Sequence, residues 1–214
     1  MVIHFWYQNA LNLHIRILWG LIDAKSIPQD PPERTLRLFN NQLSGIGSES
    51  ALEEIAVNGQ PLIDPSLVLI GDSAWSTSRA RFSSQMKFVE EHSLQYMQSC
   101  LAKFGLSRWS PDLRQSPYSL YNAACRIVAL DTFKQTLVAQ TYAHLKPNIK
   151  YVNDMNLLKK LYDHIVHFYL DARYRKNARK PGSVEASDEA SPLYKARKRV
   201  RYIFFNNSTS LMPS

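Results

Sequence analysis

The sequence predicts an all-α fold: a single irregular multi-helix bundle of about six to eight helices with a basic C-terminal helix or tail. Three observations predict it. Apolar residues recur at three- and four-residue spacing along most of the chain. Hydrophobic residues make up 45% of the sequence and aromatic residues 11%, as in a folded protein. Seven glycines in 214 residues are too few for a turn-rich β architecture. A chain of this length can bury one substantial core. The expected organisation is a helical globular domain over 1–180, an acidic Ser/Ala linker over 181–191, and a basic C-terminal helix or tail over 192–214.

The first helix is expected from Asn9 to Lys25, with Leu11, Ile15, Leu18, Trp19 and Ile22 on one face and Ser26-Ile27-Pro28 ending it. Asp30, Pro31 and Glu33 read as N-cap, first and third helical residues of the second helix, with Leu36 and Phe39 facing inward. Asn40 to Ser50, holding Gly45 and Gly47, is a loop. Ser50 and Glu53 then give a capping signal for a short helix through Val57, closed by Asn58-Gly59. Leu67-Val68-Leu69-Ile70 suits either a buried strand or a helix capped by Asp64-Pro65, and helix is favoured.

Phe82, Met86, Val89, Met97, Leu101 and Phe104 mark a long amphipathic helix, with Gly105 at its C-terminal turn. Ser116-Pro117 opens a helix that is apolar almost all round from Leu120 to Leu130, which makes it the central element. Beyond Pro147, the residues Leu158, Leu161, Tyr162, Ile165, Phe168, Tyr169 and Ala172 form a helical stripe. That helix runs on into Arg173-Tyr174-Arg175-Lys176 and stops at Pro181-Gly182. Ser191-Pro192 opens a final basic helix through about Phe205.

The block from Leu13 to Ile22 with Ser26-Ile27-Pro28, and the blocks Leu101–Leu106, Ser119–Arg126 and His164–Phe168, resemble a group of uncharacterised proteins of mushroom-forming (basidiomycete) fungi. The resemblance extends from about Leu13 to Arg201. It implies a fungal protein and, since the group offers no catalytic motif to carry over residue by residue, no activity.

The formal net charge is +8, and the stretch from Asp171 onward carries ten cations against four acids. The cations are Arg173, Arg175, Lys176, Arg179, Lys180, Lys195, Arg197, Lys198, Arg199 and Arg201. Such asymmetry points to an anionic partner, nucleic acid or an acidic protein, or to an import receptor. Lys198-Arg199-Val200-Arg201, with Arg179-Lys180 upstream, matches a nuclear import pattern, so a nuclear or nucleocytoplasmic setting is expected. Tyr169, Arg173, Tyr174 and Arg175, and again Tyr194, Arg201 and Tyr202, interleave aromatic rings with cations as base-stacking surfaces do. A solvated helix face is the plain alternative, and cations near a helix C-terminus are favoured by its dipole in any case. A second alternative is a helical protein-protein interaction domain whose tail is only an import signal.

Other signals are weaker. Cys100 and Cys125 stand far apart and suggest neither a disulfide framework nor a zinc site. The apolar N-terminus lacks the cationic region of a signal peptide, and no stretch is long enough to span a bilayer, so no membrane partner is expected. Leu69-Ile70-Gly71-Asp72-Ser73 resembles the nucleophile block of GDSL-type esterases, with Ser73 as nucleophile, but the Asp-x-x-His block that must activate the serine is missing. His164 and His167 share a helix at ligand spacing, yet a metal needs a third ligand that only His92 or His144 could bring. Gly45-Ile46-Gly47 lacks the third glycine of a nucleotide loop. The expected function is therefore non-enzymatic, with no cofactor, metal or small-molecule ligand.

Overall fold

The computed structural model describes residues 2–21, 26–70 and 88–188, and over them the protein is helical. The chain divides into two compact units, Met1–Tyr174 and Arg175–Ser214. The helices bounded within the described residues are α1 (Val2–Trp19), α2 (Glu33–Gln42), α3 (Glu49–Asn58), α4 (Glu91–Lys103), α5 (Leu120–Val138), α6 (Met155–Asp163) and α7 (Asp171–Arg179), with a π-helical turn, His164–Leu170, joining the last two. The final helix expected after Ser191 lies outside the described residues, as do Phe82 and Met86.

As its all-round apolar pattern implies, α5 is the axis of the first unit, and α1, α3, α4 and α6 all pack on it. Ala124, Cys125, Ala129, Thr132 and Phe133 are wholly buried. Small residues on this helix let its neighbours approach closely, and large ones from those neighbours fill the space between.

α1 ends six residues before the expected Lys25. Gly20 takes φ +74°, with its N–H on the Ile17 carbonyl (3.1 Å) and the Leu21 N–H on the Arg16 carbonyl (2.8 Å). This paired closure satisfies the last carbonyls of the helix and needs a residue at ease in the left-handed region. Gly105 closes α4 the same way at φ +66°, with Leu106 N–H on Leu101 and Gly105 N–H on Ala102, both 3.1 Å. A Cβ at Gly105 would lie 2.8 Å from Gln42 Oε1 as well. Gly105→Ala is expected to cost about 1–2 kcal/mol, measured by urea denaturation, from the left-handed backbone alone.

Three starts differ from expectation for local reasons. α2 begins at Glu33, not at Pro31, because Pro32 drives the residue before it out of the helical region. Ser48, not Ser50, caps α3 by accepting the Ala51 N–H (3.3 Å). Ser119, not Ser116, caps α5 by accepting the Asn122 N–H (3.3 Å). The helix favoured for Leu67–Ile70 is likewise replaced. Asp64 caps one short turn over Pro65–Leu67, after which the backbone extends and Leu69 bridges to Arg108 in parallel. The side chains there alternate, with Val68 buried between exposed Leu67 and Leu69, which is the period of a strand. α4 starts only at Glu91, so Val89 precedes it.

Two buried polar arrangements tie the helices together. His14 of α1 is wholly buried between Tyr142 and Thr132. The Thr132 hydroxyl donates to the Val128 carbonyl (2.6 Å) and so serves as acceptor toward the ring. His14 therefore donates from Nε2 to Thr132 Oγ1 (2.8 Å) and accepts the Tyr142 hydroxyl at Nδ1 (2.7 Å), the neutral form with both nitrogens satisfied. Burial pushes the imidazole down to about 3.

The second arrangement holds the loop from Leu106 to Ser119 against α5. Asn122 Oδ1 accepts the Asp112 N–H (2.9 Å), and Asn122 Nδ2 donates to the carbonyls of Asp112 (3.0 Å) and Ser116 (2.8 Å). Trp109 Nε1 donates to the Cys125 carbonyl (2.9 Å), and its ring meets Trp19 edge-on at 5.2 Å.

Candidate nucleic-acid interface

The residues of interest stand on one continuous helical run, 155–179, started by Asp154 Oδ1 accepting the Leu157 N–H (2.9 Å). Its middle is the π turn, where the Asp171 N–H reaches back five residues to the Val166 carbonyl. The wider turn changes which side chains face the core. Leu158 and Tyr162 before the turn, and Ile165 at its start, are buried as the stripe predicts. Within the turn, Val166 and Leu170 take the core positions, while Phe168 is 68% exposed and Tyr169 44% exposed. The expected placement of Phe168, Tyr169 and Ala172 on the inner stripe is corrected accordingly, and Ala172 is exposed too.

On the outer surface the His164 ring lies nearly parallel to Phe168, with centroids 5.3 Å apart and planes at 18°. The Arg173 guanidinium sits over the Tyr169 ring, 6.0 Å from its centroid. Tyr174, expected to share this role, is used otherwise. Its hydroxyl donates to Asp30 Oδ1 (2.8 Å), a carboxylate that Arg114 also approaches (3.5 Å). Burial and the neighbouring carboxylate push the Tyr174 phenol up. Asp30, read as a helix cap, is thus an anchor for the helical run.

In the second unit, Arg175, Lys176 and Arg179 at the end of α7, and Lys180 just past it, are exposed. Lys176, Arg179 and Lys180 enter no salt bridge among the described residues. Lys176 stands three residues from Arg179 and four from Lys180, the spacing at which like charges oppose each other on a helix. The helix end is closed by uncharged groups. Asn177 Oδ1 accepts the Gly182 N–H (3.0 Å), and the Ser183 hydroxyl donates to the Lys176 carbonyl (3.1 Å). Residues 183–188, expected as linker, are helical. Lys195, Arg197, Lys198, Arg199 and Arg201 lie outside the described residues, as do Tyr194 and Tyr202.

Ser73 and its Gly-Asp-Ser block lie outside the described residues. His164 and His167 do not converge: His164 is on the exposed face, and His167 is half-buried with its ring edge-on to Tyr162 at 5.8 Å. His92 pairs with Glu90 (3.1 Å) and His144 stacks on Phe88 at 4.4 Å. Among the described residues no three His, Cys, Asp or Glu side chains are grouped to hold a metal ion, and no helix is long and apolar enough to cross a membrane. Burial pushes both the Cys100 and Cys125 thiols up, away from the reactive thiolate. A cleft of about 190 Å³ between α3, α5 and α6 contains Glu49, but that carboxylate is held by Arg126 (2.8 Å) and Lys159 (3.1 Å).

Comparison with protein-family models, curated proteins and solved structures gives no match.

Proposed function

We propose that this is a non-enzymatic, nuclear or nucleocytoplasmic helical protein whose basic C-terminal module contacts nucleic acid. The observation that carries the reading is the exposed cationic end of α7. The helix dipole favours Lys176 and Arg179 in the last turn of α7, but like charges at the opposing spacing still cost a helix a few tenths of a kcal/mol per pair. Phosphates set along the same side turn that repulsion into attraction. Lys195 to Arg201 extend the same chemistry in sequence, and Lys198-Arg199-Val200-Arg201 supports import into the nucleus. The fungal resemblance of the helical blocks is part of this reading and adds no activity to it.

The test is binding of full-length protein to an oligonucleotide across a salt series, followed by fluorescence anisotropy. Affinity is expected to fall steeply with salt. The triple variant Lys176→Ala/Arg179→Ala/Lys180→Ala is expected to flatten the plot of log affinity against log salt by about 2–3 units, near one for each phosphate no longer neutralised. Affinity that ignores salt, or a variant with the wild-type slope, overturns the reading.

A further inference from the structure

We propose that Phe168 and Tyr169 form a base-stacking platform, so that the preferred ligand is single-stranded nucleic acid. The proposal rests on the nucleic-acid reading above and names the form of the ligand. It stands on side chains of the first unit alone.

A helix on the surface of a protein normally turns its aromatic residues inward, and here the π turn turns two of them outward. The exposed surface is built from planar groups. Phe168 has the His164 ring lying almost parallel to it and is itself largely exposed. Tyr169 carries the Arg173 guanidinium over its ring. Lys160, one turn before His164, is exposed and cationic, whereas Asp171 is half-buried. An apolar protein groove is better filled by branched aliphatic side chains, and exposed leucine, isoleucine and valine are absent from residues 160–174. Flat rings beside cations match a strand of nucleic acid, whose unpaired bases offer planar faces and whose backbone offers phosphates. In a duplex those faces are already stacked on one another, so the platform has nothing to engage. The stacking contribution is sequence-tolerant, because every base has such a face.

The experiment compares a labelled 20-nucleotide oligo(dT) with a 20-base-pair duplex at equal salt, using the full-length protein. Wild type is expected to bind the single strand more tightly. Phe168→Ala is expected to weaken single-strand binding by about tenfold or more while changing duplex binding less than about twofold. Its salt slope should match wild type, because no charge is altered. Tyr169→Ala should act in the same direction and Tyr169→Phe should restore binding. Both positions are exposed, so the variants should keep the wild-type melting temperature. Equal affinity for strand and duplex, or an unchanged single-strand affinity in Phe168→Ala, overturns the platform and leaves the cation reading standing. Absence of salt-dependent binding to either ligand overturns the parent reading instead.

Discussion

Acidification below about pH 6.5 is expected to destabilise the helical body through His14. In the folded protein the ring is neutral down to about 3, since both nitrogens are committed to Tyr142 and Thr132 in a site that excludes water. In the unfolded chain it takes up a proton near 6.5. Between those values the unfolded state binds one proton more than the folded state, so stability falls as pH falls, by about 1.4 kcal/mol per pH unit. Above pH 6.5 the ring is neutral in both states and contributes no slope. Continued to pH 3, this one site removes about 4–5 kcal/mol, a large share of the roughly 5–15 kcal/mol of a typical domain.

Burial also lowers His144 and His167, which add to the wild-type slope in the same direction. Glu49 and Asp112, held low by hydrogen bonds and ion pairs, give up their contribution only at more acid pH, as it falls through their folded values. Asp131, whose carboxyl burial pushes up, acts in the opposite direction, so the share of His14 in the window from pH 6.5 to 4.5 is read from the difference between a variant and wild type. His14→Leu/Tyr142→Phe removes the titrating ring together with the hydroxyl it would leave unpaired. Urea denaturation at intervals across that window should show the double variant losing less stability per pH unit than wild type, by the equivalent of one proton. Parallel curves would mean that His14 titrates in the folded protein and is not sealed from water.

The buried network and the outward-facing aromatics differ in how far the sequence announces them. The central position of α5 follows directly from its apolar run, and Gly105 stands at the end of an amphipathic stripe where a left-handed residue is expected. Gly20 closes α1 by the same hydrogen-bond pair, yet the flanking Leu18, Trp19, Leu21 and Ile22 continue the apolar pattern through it and hide the stop. Pro31-Pro32 is legible once the second proline is weighed, since it forbids the helical start that Asp30 and Glu33 otherwise advertise. The π turn is harder. From Ile165 to Leu170 only His167 is not apolar or aromatic, so two stripes fit equally, one through Phe168 and Tyr169 and the other through Val166 and Leu170. A 3.6-residue period cannot choose between them, because the backbone departs from that period at this place. His14 is invisible for a different reason: its partners Thr132 and Tyr142 are more than a hundred residues away, and only the packing of α1 on α5 brings them to it.

Trp109→Ala is expected to cost about 3–5 kcal/mol, the range for deleting a large buried aromatic side chain from a core. Trp109 has no exposed surface, and it lies where three parts of the fold meet. Its indole crosses Trp19 at the end of α1 at 89° and Tyr162 of α6 at 84°, with centroids 5.2 and 6.5 Å away. Its N–H is satisfied by the Cys125 carbonyl of α5. Neighbours on three helices cannot all close onto an alanine while each remains seated on α5, so a cavity persists and the stability loss exceeds the transfer cost alone. Trp109→Phe keeps much of the ring contact and gives up the hydrogen bond, and should cost clearly less than alanine. Urea midpoints should fall in the order wild type, phenylalanine, alanine, with an unchanged dependence on denaturant. Because Tyr162 leads into the turn that carries Phe168, Trp109→Ala should also raise amide exchange across His164–Leu170 more than in α3, which is seated on α4 and α5. An alanine variant within about 1 kcal/mol of wild type would show that the loop from Leu106 to Ser119 is held by Asn122 and Asp112 rather than by the indole.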